Sequence, residues 1–120
     1  MSTVEVRTAE LIGPALDWAV AQAEGFQVEI RQRQDAAYPC PLIVEGQATR
    51  GIPRYCSDWG HTGPLVEKYN VSLIYAFEEY QALIGMTESE QHEKPLVAIC
   101  RAIVAAKLGD TAQVPEELMP

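Results

Sequence analysis

The residues of this chain best suited to chemistry lie together in residues 50–64, RGIPRYCSDWGHTGP. Arg50 and Arg54 alternate there with glycines, which let backbone N–H groups approach a ligand closely. Tyr55 and Trp59 supply flat aromatic surface, and Ser57, Asp58, His61 and Thr62 supply polar groups. With Arg31 and Arg33 upstream, residues 31–54 hold four arginines against only Asp35 and Glu45. Such a cationic segment suits a small anionic or nucleotide-like ligand, with an aromatic ring available to stack on a base. The expected contacts are Arg50, Arg54, Ser57, Asp58, Trp59 and His61. A structural reading accounts for the same residues: Gly, Pro, Ser and Asp make turns, Trp59 plugs the core, and Arg31 pairs with a carboxylate on a neighbouring strand.

Catalysis is less well supported. His61 and His92 are the two histidines, and pairing Cys56 or Ser57 with His61 needs a third group to orient the imidazole. Asp58 is adjacent in the chain, yet neighbours on an extended segment point to opposite faces. No HExxH, GxSxG, GxxxxGK or CxxC spacing occurs, and two histidines without clustered carboxylates make a poor metal site. No catalytic residue, metal ligand or cofactor is assigned, and the chain reads as a binding module, not an enzyme. The alternative function is a protein–protein interaction factor acting on a host protein. It would use the acidic residues Glu78, Glu79, Glu88, Glu90, Glu93, Glu116 and Glu117, or an exposed apolar patch. A solvated loop and tail is the plainer account of those acids. His92, among them, is expected to be exposed, with its protonated form favoured by nearby carboxylates.

The whole-chain balance narrows the ligand. Across 120 residues, 9 Lys and Arg stand against 17 Asp and Glu, a net charge of -8. Generic nucleic-acid binding is disfavoured, because it depends on cations neutralising phosphates. No apolar run approaches the roughly 20 residues that span a bilayer. Residues 1–7, MSTVEVR, have neither a basic start nor an apolar stretch of a signal peptide, so a cytoplasmic protein without membrane association is expected. Cys40, Cys56 and Cys100 are an odd set, widely spaced, so a disulfide framework is not expected; Cys100 falls in an apolar helical pattern.

The length fits a single domain over residues 1–120, and 48% apolar residues can build its core. In residues 8–24, Leu11, Ala15, Trp18 and Ala19 recur at helical spacing. Pro14 belongs in a first helical turn, so a short turn at Thr8 and a main helix from about Pro14 to Gly25 are predicted. Residues 26–33 alternate as a strand, and a short strand is expected at 42–45. Between 34 and 70 the prolines and glycines predict a long ordered loop around that strand. Residues 71–78, VSLIYAFE, predict a central strand with Val71, Leu73, Tyr75 and Phe77 on one face. A helical turn is expected over 78–84 and a loop over 85–93. Residues 94–108 predict the clearest helix, starting at Pro95 and stopping at Gly109. The sum is an α+β fold: a small antiparallel or mixed sheet packed by two main helices, with a long loop.

Three blocks also resemble a known family. ELIGPALDWAVAQAEG (10–25), YCSDWGHTGPLVEKYNVSL (55–73) and LVAICRAIVAAKLGDTAQVPEEL (96–118) are similar, in order and spacing, to the NinX family of bacteriophage proteins, a domain of unknown function. Where the family usually reads GGP after the second Trp, this chain has His61-Thr62-Gly63-Pro64, and residues 75–94 match poorly. The resemblance implies a phage or prophage origin and a cytoplasmic accessory role, and it carries over no catalytic residues. It also draws attention to an Asp-Trp pair in each of two blocks. Trp18 falls on an apolar helix face, so Asp17-Trp18 reads as structural; no periodicity accounts for Asp58-Trp59, which reads as functional.

Overall fold

Proline and glycine set the helix limits in this chain. Pro95 opens a helix that runs to Leu108, and Gly109 follows it at φ 96. Pro14 lies in the first turn of a helix over Gly13–Ala23, since its missing N–H costs nothing there. That helix ends in a Schellman motif: Gly25, at φ 89, donates its N–H to Gln22 O at 3.0 Å, and Phe26 donates to Ala21 O at 3.1 Å. The computed structural model describes residues 3–31 and 40–119. In chain order it contains β1 (Thr3–Arg7), α1 (Gly13–Ala23), β2 (Gln27–Arg31), β3 (Cys40–Glu45), β4 (Ala48–Gly51), α2 (Trp59–Lys68), β5 (Ser72–Ala76), β6 (Glu79–Ile84), β7 (Thr87–Glu88), α3 (Pro95–Leu108) and β8 (Thr111–Pro115). Short 3₁₀ turns occupy Thr8–Glu10 and Glu116–Leu118.

The fold is α+β, as the patterning predicts. The described strands form three separate antiparallel sheets, ordered β1-β8, β2-β3-β4 and β5-β6-β7. α1 and α3 pack against each other at the centre, with β8 and β2 against α1 and β6 against α3. Leu11, Leu16, Val20, Ile99, Ile103, Val104 and Val114 are fully buried between these layers, so the apolar stripes of both helices meet one continuous core. Arg101 is buried on α3 and donates from Nε to Leu11 O at 2.8 Å, which supplies a partner for a carbonyl that would otherwise be stranded in the core. Cys100 is buried beside it, and burial pushes its thiol up.

Three expectations are corrected, and one pairing is found that the patterning does not predict. The region read as a long loop contains β4 and α2; Asp58 caps α2, and Asn70 at φ 52 ends it in a second Schellman motif, donating to Glu67 O while Val71 donates to Val66 O. The 71–78 strand is an edge strand, not a central one, because among the described residues only β6 pairs with it, on one side. Residues 79–84 form β6, not a helical turn, since Phe77 and Glu78 close a hairpin with both residues at positive φ. Finally, β1 and β8 join the two ends of the chain, with Val4 opposite Val114 and Val6 opposite Ala112.

Candidate functional site

The segment after β4 is pinned to the first turn of α1. Tyr55 is buried, and its carbonyl accepts the hydroxyl of Thr62, which is itself buried on α2. The next residue, Cys56, donates its N–H to Asp17 Oδ1 at 2.9 Å, and its thiol donates to Gly13 O at 3.6 Å. Between them, Ser57 N–H donates to Arg54 O at 3.1 Å, closing a tight turn. These bonds hold Arg54 and Ser57 in place from both sides.

They hold them on the wall of a cleft of about 390 Å³. Gly13, Pro14 and Asp17 of α1 form one side, Lys94 and Val97 at the start of α3 another, and Arg54, Cys56 and Ser57 the third. Neither Ile12 at the N-cap of α1 nor Lys94 at the N-cap of α3 caps its helix with a side-chain hydrogen bond, and the starts of both helices, where the helix dipole is positive, meet at this cleft. Arg54 and Lys94 form no ion pair within 4.0 Å among the described residues. The negative counterpart is Asp17. Its carboxyl is pushed above its ordinary value by burial, against the opposing pull of the Cys56 hydrogen bond and the Arg54 charge. Burial and Asp17 together push the Cys56 thiol up to about 12, so it remains protonated at neutral pH and is a poor nucleophile.

Of the six expected contacts, the structure brings Arg54 and Ser57 to this cleft. Arg50 lies on β4, where it pairs with Glu45 at 2.7 Å and stacks over Phe26 at 5.0 Å. Asp58 Oδ1 accepts the Gly60 N–H at 2.8 Å, the N-cap bond of α2, and Asp58 Oδ2 lies 3.6 Å from His61 Nε2. The His61 ring packs edge-on to Tyr55, with centroids 6.4 Å apart. Trp59, first residue of α2, is 50% exposed, so it does not plug the core. Arg31 pairs with Glu29 at 2.9 Å on its own strand, because alternate residues share a face, not with a neighbouring strand. Arg33 lies outside the described residues.

Lys94 and Asp17 were not among the expected contacts. Lys94 reads in the sequence as the residue before a helix, and Asp17 as half of a structural Asp-Trp pair; only the packing of α1 beside α3 brings them to Arg54. His92 differs from expectation as well. It is partly buried and accepts the Lys94 N–H on Nδ1 at 2.9 Å, and burial together with Arg101 pushes its imidazole below the ordinary value. Among the described residues no cluster of His, Cys, Asp or Glu is arranged to hold a metal ion, and no helix is long and apolar enough to cross a membrane.

Comparison with known proteins assigns the family. The model of the family described as bacteriophage P22, NinX, matches residues 7–107, and the chain belongs to that family. The match spans α1, the whole cleft and nearly all of α3. No curated protein matched the chain.

Proposed function

We propose that this member of the phage NinX family is a non-enzymatic module that binds a small anionic, phosphate-bearing ligand, with Arg54 and Ser57 of the 50–64 segment as contacts and Lys94 opposite them. The observation that carries the reading is the pairing of charge and cavity. Arg54 and Lys94, neither in an ion pair within 4.0 Å among the described residues, outnumber the single carboxylate, Asp17, on the wall of a cleft of about 390 Å³ at which two helices begin. Helix starts favour negative charge, which a phosphate would supply. Arg offers a planar fork for phosphate oxygens and Lys a mobile point charge. The exposed ring of Trp59, on the helix that follows Ser57, is available to a base attached to that phosphate. The net charge of -8 fits recognition of a small ligand within a cleft, whereas a long polyanion would meet repulsion over most of the surface.

Thermal unfolding in the presence of inorganic phosphate and a panel of nucleoside mono-, di- and triphosphates tests this. A ligand at about 100 times its dissociation constant stabilises the protein by about 2.7 kcal/mol. Arg54→Glu and Lys94→Glu should each abolish the stabilisation while leaving the ligand-free stability within about 0.5 kcal/mol of the parent, as expected for exposed substitutions. A flat response to every compound, or stabilisation that survives both charge reversals, rejects the reading.

A further inference from the structure

Among the described residues no strand pairs with the outer edge of β5 in the β5-β6 hairpin, and exposed apolar side chains surround that edge. β5 is SLIYA, with no charge, no proline and no bulge, so it lacks the devices that normally protect an edge strand. Ile74 is 48% exposed and Tyr75 61% exposed, on opposite faces of the same strand, and Phe77 at the hairpin tip is 92% exposed. The register shows which backbone groups are free. Phe77 and Glu78 are the two loop residues, so the flanking pair Ala76 and Glu79 is hydrogen-bonded, and Ser72, Ile74 and Ala76 turn their N–H and C=O groups to β6. Leu73 and Tyr75 therefore turn theirs outward. Their partners on β6 confirm the alternation from the other side. Tyr80, opposite Tyr75, exchanges bonds of 2.7 and 2.9 Å with His92, and Ala82, opposite Leu73, accepts the Ser89 N–H at 2.8 Å.

We infer that the chain forms a homodimer in which β5 pairs antiparallel with β5 of a second copy, about a two-fold axis at Ile74. This register satisfies the outward groups of Leu73 and Tyr75 by placing each Leu73 in a hydrogen-bonded pair with the partner's Tyr75, and it stacks Ile74 on the partner's Ile74 on the other face. The charges beyond the strand agree with a second copy as the occupant. Glu78 and Glu79 mark the turn end of the hairpin, while at its start Lys107 lies 5.3 Å from the Tyr69 ring; Lys68, at the same distance from that ring, is paired with Glu24 at 3.0 Å. Antiparallel self-pairing brings each acidic turn toward the end of the partner's strand that carries Lys107; parallel stacking would put the two acidic turns together. The far edge of the sheet is β7, two residues long and carrying Glu88, so pairing closes at a six-stranded sheet and does not propagate.

Sedimentation of the full chain over a concentration series should show twice the 13.2 kDa chain mass at high concentration, and Ile74→Lys should shift the species to a single-chain mass with unchanged far-ultraviolet circular dichroism. Cross-linking fixes the register even if that variant folds poorly. Facing residues of a non-hydrogen-bonded pair have Cα atoms about 4.5 Å apart, within disulfide reach, so Ile74→Cys should form a covalent dimer under mild oxidation that the unsubstituted chain does not. Leu73→Cys should not, because its two copies are offset by two residues, about 7 Å along the strands. A single-chain mass at all concentrations overturns the proposal, as do a dimer indifferent to Ile74→Lys and cross-linking at Leu73→Cys instead of Ile74→Cys. A host protein held at this edge in place of a second copy would give the first of these results.

Discussion

The two Asp-Trp pairs of this chain are identical in sequence and opposite in use. Trp18 lies inside α1 and is 5% exposed, while Trp59 begins α2 and is 50% exposed. Asp17 reaches across to the Cys56 N–H and lies in the cleft; Asp58 bends back to the Gly60 N–H and caps its own helix. The position of the pair relative to a helix boundary decides this. Within a helix, the residue after a polar one can fall on the core stripe, and its carboxylate neighbour is left beside that stripe, facing whatever packs there. At an N-cap the carboxylate is engaged by the helix backbone, and the first helical residue has no preceding turn to cover it.

The largest difference expected between the pairs is in stability. Trp18→Ala should destabilise by about 3–5 kcal/mol in urea unfolding, because it opens a cavity between α1 and the core, whereas Trp59→Ala should stay within about 0.5 kcal/mol of the parent. Equal losses would mean that Trp59 is buried in solution. Next in size, Asp58→Ala should cost about 1 kcal/mol and Asp58→Ser should restore most of it, the pattern of a cap and not of a ligand contact. Should Asp58→Ala instead weaken phosphate binding at unchanged stability, the contrast between the pairs fails.

The smallest effect, and the most telling, is at Asp17. Its carboxyl is raised in the folded protein by burial, so the fold binds a proton more readily there than the unfolded chain does. Between the ordinary value of 3.8 and that raised value, stability from this group therefore falls as pH rises, and above it the contribution is constant. Asp17→Asn keeps an oxygen to accept from Cys56 and removes the desolvated charge. It should flatten that part of the pH–stability profile, leave stability at neutral pH equal or higher, and strengthen phosphate-dependent stabilisation by removing a negative charge from the cleft. A steeper profile, or weaker phosphate binding, would show that Asp17 acts through its charge and not in spite of it.

Much of the fold was legible where a local pattern ran uninterrupted. α1 and α3 followed from apolar spacing and from Pro14, Pro95, Gly25 and Gly109 at their ends; β2 and β3 followed from alternation between turn residues. α2 is hidden because WGHTGPLVEK holds two glycines and an internal Pro64, which deprives the Gly60 carbonyl of its helical donor, and because its cap, Asp58, has in sequence the look of a binding group. β6 was hidden by its turn: Phe77-Glu78 takes positive φ at both positions without the Asn-Gly or Asp-Gly that normally announces a two-residue hairpin. In the cleft, Arg54 and Ser57 were visible by composition. Lys94 was not, since it precedes a helix whose start is brought to Arg54 only by packing.

What the sequence by itself determined is what depends on neighbours in the chain: the class of fold, the limits of the two central helices, the buried Cys100, the family, and a cationic segment in an acidic protein. Tertiary structure alone decided the rest. It separated Arg31 and Arg50, each satisfied by a carboxylate within reach on the same sheet, from Arg54, which faces Lys94 across the cleft. It also made β5 an edge by giving it, among the described residues, a partner on one side only. Ion pairing and strand pairing are settled by which groups come within a few ångströms, and between residues far apart in the chain that distance is set by the packing of α1 against α3.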